Sequence, residues 1–242
     1  MRIPLGRPEI FDGEPMSPTE NSQLFRMGVV SGYLVAFLSA VYAAVLFAGL
    51  ITLPTSEHPI QNPWFTAMEL LILFIAPAMV AFTVALHSWV PQEKKQAATL
   101  SIVFMSSCAA ITASVHFSVL TLSRHPLVSN MDWAPFVFGF TWPSLSYALD
   151  ILAWDIFFAL SAFFCALSLR GNATARTAYW LLIAASATSF LGLAGVALES
   201  MRIRNIGIVG YVLLFPWAAI LTANRLRSVT GRPKHSLQSR RP

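Results

Sequence analysis

Residues 63–89 read PWFTAMELLILFIAPAMVAFTVALHSW, and this stretch decides the fold class. As a helix rising about 1.5 Å per residue it is longer than the roughly 30 Å hydrocarbon core of a bilayer. Its ionisable side chains are confined to Glu69 near one end and His87 near the other. Five more apolar stretches of spanning length follow the same pattern, over about 28–53, 97–122, 143–169, 177–199 and 206–223. The sequence therefore predicts an all-α, polytopic integral membrane bundle of six transmembrane helices. The composition agrees, with 56% hydrophobic and 11% charged residues.

The excess of positive charge has a topological origin. Of the 16 Lys and Arg residues, all but Arg124, Arg202 and Arg204 fall in the amino-terminal arm, the 90–96 loop, the 170–176 loop and the carboxy-terminal tail. Short cytoplasmic loops carry such an excess, so both termini are expected in the cytoplasm. Short loops and a length of 242 residues suit a bacterial inner membrane. A tail with Arg225, Arg227, Arg232, Lys234, Arg240 and Arg241 is expected to meet anionic lipid rather than nucleic acid.

Three regions result: a disordered arm over 1–26, a six-helix domain over 27–224 and a basic tail over 225–242. The arm holds Pro4, Pro8, Pro15 and Pro18 without an apolar run, so it reads as neither signal peptide nor span. Met16 opens a second start-like segment within it.

Several chemistries lack any signature. The sequence shows no CxxC, HxxxH, HExxH, P-loop or GxGxxG, so neither a metal nor a cofactor is expected. Cys108 and Cys165 lie on different helices at depths about 10 Å apart, too far for a disulfide. His87 and His116 sit at opposite ends of adjacent helices, which excludes a shared haem. The Asn172-Ala173-Thr174 sequon falls on the basic side.

Packing signals are frequent. Gly28, Gly32, Ala36, Ala40, Ala44 and Ala48 place a small residue at every fourth position of the first helix, a face suited to close helix approach and to a homo-oligomer. Pro77 and Pro216 should kink the second and sixth helices. Trp64, Trp89, Trp133, Trp142 and Trp180 map to span ends as interfacial residues, whereas Trp154 and Trp217 are expected inside, packed in the core or lining an internal pocket.

The functional lead is a polar layer. Glu69 lies six residues in from Pro63, His116 six in from Leu122 and Asp150 seven in from Pro143, so three helices carry ionisable groups to one depth, roughly 10 Å below the outer ends. Asp155 should lie about 7 Å deeper and about 140° around its helix from Asp150. Such groups cost free energy in hydrocarbon and mark function. Glu69, His116, Asp150 and Asp155 are the candidate catalytic residues. Tyr147 and Trp154 share the Asp150 face, Thr112 shares the His116 face and Tyr211 comes to a similar depth, so these four are candidate substrate-binding residues. With no Lys or Arg deep in any expected span, the acids should find no cation except a protonated His116. Arg202 and Arg204 are expected on the outer surface, pairing with Glu199 or a lipid phosphate. The apolar run from Trp133 to Trp142 is too short to span and is expected to lie in the interface or dip back over the bundle, as an interfacial anchor or as a lid above the polar layer.

The residues point to a lipophilic small molecule, bound in the outer half of the membrane and protonated by Glu69 or Asp150 with His116 as partner. The partners expected are that molecule and membrane lipids. A proton-coupled transporter and a non-catalytic scaffold subunit are the alternatives.

Overall fold

The computed structural model describes residues 18–53 and 59–230, with side chains from residue 23 to residue 228. Six helices are long and apolar enough to cross a membrane: Gln23–Ile51, Trp64–Trp89, Gln92–Arg124, Leu145–Leu169, Ala173–Ala197 and Met201–Ser228. These are the first to sixth spans. No strand occurs among the described residues.

The spans close into a ring in chain order, each packing on the next, and the sixth returns to the first. Short connections enforce this order, since a helix leaving the membrane and re-entering within a few residues must lie beside its predecessor. Phe82 of the second span, Phe158 of the fourth and Phe215 of the sixth meet edge-to-face at the centre. The outward surface is apolar, with Val30, Phe37, Phe47, Phe74, Phe117 and Leu191 exposed. A ring that is apolar outside as well as inside suits a hydrocarbon solvent.

Two expectations are corrected here, the disordered arm up to residue 26 and the interior place of Trp217, while the close helix approach expected at the small-residue face is met from within the chain. The helix that carries the first span begins at Pro18, so residues 18–26 are not a disordered arm; proline suits a first helical position because the N–H it lacks would be unpaired there. The arm upstream of Pro18, with Met16, and the tail beyond Thr230 lie outside the described residues. Gly28 and Gly32 are covered from within the chain. A Cβ on Gly28 would stand 2.6 Å from Leu226 Cδ1, and one on Gly32 would stand 2.9 Å from Ala223 Cβ. The small-residue face is therefore spent on the second and sixth spans at these two positions. Trp217, expected inside, is 63% exposed on the lipid side.

The sixth span starts at Met201, five residues earlier than the sequence suggested, and this brings Arg204 into the bundle. A tight turn precedes it. Glu199 adopts φ 51°, and Ser200 N donates to Gly195 O at 2.7 Å, the closure of a helix end that glycine usually makes. Gly195 lets the returning chain approach, because a Cβ there would lie 2.6 Å from Ser200 O and 2.8 Å from Arg204 Cα.

Two stretches widen to π-helix: Leu152–Phe158 in the fourth span and Gly210–Leu214 in the sixth. The second has a covalent cause. Pro216 has no N–H to offer the carbonyl of Val212, so the regular ladder cannot continue through that point.

Candidate functional site

Glu69, His116 and Asp150, on the second, third and fourth spans, converge inside the ring, all buried. His116 Nδ1 is 2.8 Å from Glu69 Oε2, a hydrogen bond. On the other side of the ring, Nε2 stands 3.5 Å from Asp150 Oδ1, within ion-pair range but without a hydrogen-bond partner. The imidazole is thus held between two carboxylates from two other helices. The stripe that presents it, Ser101, Met105, Cys108, Thr112 and His116, is buried along its length. Ser101 joins the fourth span, with Ser161 Oγ donating to its carbonyl at 2.8 Å.

Arg204 was not expected here. Its Nη2 donates to Asp150 Oδ2 at 3.0 Å, and its Nε lies 3.5 Å from Asp155 Oδ2. Its guanidinium also sits 5.0 Å above the Tyr147 ring centre, in cation-π range. Only 4% of Arg204 is exposed. The acids therefore have an internal cation, contrary to expectation, because the early start of the sixth span turns this arginine inward instead of toward the surface.

Asp155 joins the same network rather than facing away. In a regular α-helix residues 150 and 155 point about 140° apart. The π-turn across Leu152–Phe158 pairs residues five apart and so rotates Asp155 back toward the Asp150 side. Asp155 is fully buried against glycines: a Cβ on Gly207 would come 2.6 Å from its Oδ1, and one on Gly192 would come 3.4 Å from the same oxygen. Neither of its carboxylate oxygens has a hydrogen-bond partner among the described residues, nor does the Ser189 hydroxyl or Arg204 Nε.

Counting charges shows what the cluster can do. Three carboxylates face one guanidinium and one imidazole. With Arg204 and His116 both cationic and the acids ionised, the sum is still one negative charge. A low-dielectric interior penalises net charge, so the network has a use for one exchangeable proton beyond those on Arg204 and His116. Among the described residues no set of three or more His, Cys, Asp or Glu is arranged to hold a metal ion.

The candidate substrate-binding residues do not surround one cavity. Thr112 is fully buried, with its hydroxyl 4.0 Å from Cys108 Sγ. Tyr147 lies beneath Arg204. Trp154 and Tyr211 pack ring against ring at 4.7 Å and border a space of about 20 Å³ shared with Ser39 and Tyr42, room for about one water. The ligand-sized space lies elsewhere. A groove of about 360 Å³ opens between the third and fourth spans beneath the short helix Ala134–Phe138, with walls that include Ala110, Ser114, Val115, Phe138, Ser146 and Leu149. Val115 precedes His116 and Leu149 precedes Asp150, so the groove's walls belong to the same helical turns as two residues of the cluster, although neither His116 nor Asp150 lines it.

The outer loop also reaches the cluster directly. Phe140 lies tilted against the His116 ring with the centroids 5.3 Å apart and meets Phe65 and Tyr147 edge-on. Phe140 and Arg204 are the site residues that sequence reasoning missed. The signal for Arg204 was indirect: uncompensated acids at one depth, and Gly192 and Gly195 on the fifth span where a neighbouring backbone needs room.

Set against known protein families, curated proteins and solved structures, the chain matches none.

Proposed function

We propose that this integral membrane protein takes a lipophilic small molecule from the bilayer into the groove between the third and fourth spans and exchanges a proton with it through His116. The observation that carries this reading is the placement of one buried imidazole between Glu69 and Asp150, beside an apolar groove walled by the neighbours of His116 and Asp150.

The proton path follows from the donor inventory of imidazole. One ring nitrogen donates while the other accepts, so a proton leaving Nε2 toward a ligand is replaced at Nδ1 from Glu69. The proton lost by Glu69 is gained by the ligand, and charge balances without a further reactant. Arg204 neutralises Asp150, which stays as a fixed anion opposite Nε2. Phe140 covers His116 and belongs to the same segment as Phe138, which lines the groove. A shift of that segment uncovers the imidazole to a bound ligand and excludes water again on return.

The basic bias of one end of the bundle supports placing both termini in the cytoplasm of a bacterial inner membrane.

Native mass spectrometry of the purified full-length chain with lipid extraction tests the reading. Wild type is expected to retain a specific small lipophile, and Ser114→Trp, which fills the groove from an exposed position, is expected to lose it. His116→Gln should keep the ligand and lose proton exchange. Identical spectra for all three, with bulk phospholipid alone, would reject the proposal.

A further inference from the structure

At the end of the bundle away from the polar cluster, the connection between the second and third spans meets the connection between the fourth and fifth. They enclose a cavity of about 290 Å³ whose lining includes Trp89, Pro91, Lys94, Leu169, Arg170 and Asn172. Nothing in the proton chemistry uses it.

Its lining has a definite polarity. Two cations, Lys94 and Arg170, border it, and no carboxylate does. Neither cation has an ion-pair or hydrogen-bond partner among the described residues, whereas the adjacent Lys95 is committed to the carbonyl of His87. Ser168 spends its hydroxyl on Cys165 O at 2.7 Å. Asn172 accepts from Thr174 N and Thr174 Oγ1 at 3.0 and 2.8 Å, and its Nδ2 amide has no partner among the described residues. Gly171, at φ 87°, holds the corner between Arg170 and Asn172 in a conformation that side-chain-bearing residues rarely adopt, and a Cβ there would meet nothing within 4 Å. Trp89, Val90 and Leu169 supply an apolar wall.

Two unpaired cations and a free amide donor around an opening at the level of the span ends, backed by an indole and aliphatic side chains, match a phosphodiester joined to acyl chains. We infer that this cavity binds the headgroup of an anionic phospholipid, the phosphate between Lys94 and Arg170 and the glycerol and upper acyl chain along Trp89 and Leu169. A basic pocket between transmembrane helices on the basic side of the membrane is where such headgroups are held. A free phosphate ion would satisfy the cations but leave the apolar wall without a partner.

The test uses the full chain in detergent, titrated with phosphatidylglycerol and separately with phosphatidylcholine, with bound lipid counted by native mass spectrometry. Wild type is expected to prefer phosphatidylglycerol. Each basic residue near an anionic headgroup is worth roughly a factor of five in affinity, so Lys94→Gln with Arg170→Gln should weaken phosphatidylglycerol binding about 30-fold and phosphatidylcholine binding by less, because choline already offsets the charge of its phosphate. Each single variant should fall between. The exchange Lys94→Arg with Arg170→Lys keeps both charges and should restore the preference, which separates lost recognition from lost folding. Equal affinity of wild type and the double glutamine variant for phosphatidylglycerol would overturn the inference. Displacement of the lipid by millimolar inorganic phosphate would overturn it too, by assigning the site to the free ion.

Discussion

Arg204 and Asp150, 54 residues apart in the chain, are joined by a buried hydrogen bond of 3.0 Å between the sixth and fourth spans. Asp155 lies 3.5 Å from the same guanidinium, so one arginine serves two carboxylates. Removing a single partner from a buried charge pair leaves the other charge without compensation, which typically costs about 3–5 kcal/mol. Arg204→Met is therefore expected to destabilise the protein by that amount in detergent-to-SDS unfolding titrations. Adding Asp150→Asn and Asp155→Asn to it should recover most of the loss, since the triple variant buries no unpaired charge. A triple variant less stable than the single one would show that the network is not held together by charge.

The polar layer itself was legible in the sequence, because depth along a helix depends only on residue count and rise. Glu69, His116 and Asp150 could be set at one level from their distances to Pro63, Leu122 and Pro143, and the structure brings them into contact. Azimuth was not legible for Asp155. Its direction rests on a π-turn that no residue in 152–158 announces, whereas the π-turn before Pro216 has a covalent cause that the sequence does contain. Arg204 was hidden for a different reason: hydropathy ends a span at its first charges, so an arginine that an acid pair draws inward is counted with the loop.

Glycine at 207 is required by contact rather than by backbone conformation. A methyl group there would lie 2.6 Å from Asp155 Oδ1, and Gly192 of the fifth span flanks the same carboxylate. Gly207→Ala is expected to cost about 1–3 kcal/mol as an overpacking substitution. Gly171→Ala meets no neighbour and pays only the strain of its positive φ, about 1–2 kcal/mol. Thermal unfolding of the two variants in one detergent compares them; equal tolerance of alanine at 207 and at an outward helix position would contradict the packing at Asp155.

Glu199 takes the left-handed conformation at the turn that delivers Arg204. Glycine carries no side-chain penalty there, so Glu199→Gly should raise stability by up to about 1 kcal/mol. A loss of stability would mean that the carboxylate contributes to the turn beyond its backbone angle.

Cys108 and Cys165 are both free and buried, at 1% and 0% exposure. A membrane-permeant maleimide should label neither in the folded protein and both after unfolding in SDS. Rapid labelling of Cys108 under native conditions would indicate that the third and fourth spans separate, since that thiol faces Thr112 within the interior stripe.

Glu69 and Asp150 touch the same imidazole, yet their substitutions should behave differently. Glu69 pairs with His116 through a 2.8 Å hydrogen bond, and a glutamine can keep that contact because its side-chain amide N–H donates to Nδ1 in place of the protonated carboxyl. What Glu69→Gln removes is the exchangeable proton. Its stability should stay within about 1 kcal/mol of wild type, the usual worth of one hydrogen bond, while proton exchange with the bound ligand should slow about 10²–10⁴-fold, the usual contribution of a positioned acid or base. Asp150→Asn instead removes the carboxylate that hydrogen-bonds Arg204 and faces His116, leaving Asp155 and Glu69 as their partners, and should cost about 1–3 kcal/mol in stability before any chemistry is measured. Unfolding titrations alongside hydrogen–deuterium exchange into the extracted ligand separate the two. Full exchange in a stable Glu69→Gln protein would remove Glu69 from the proton path and leave it as a packing partner of His116.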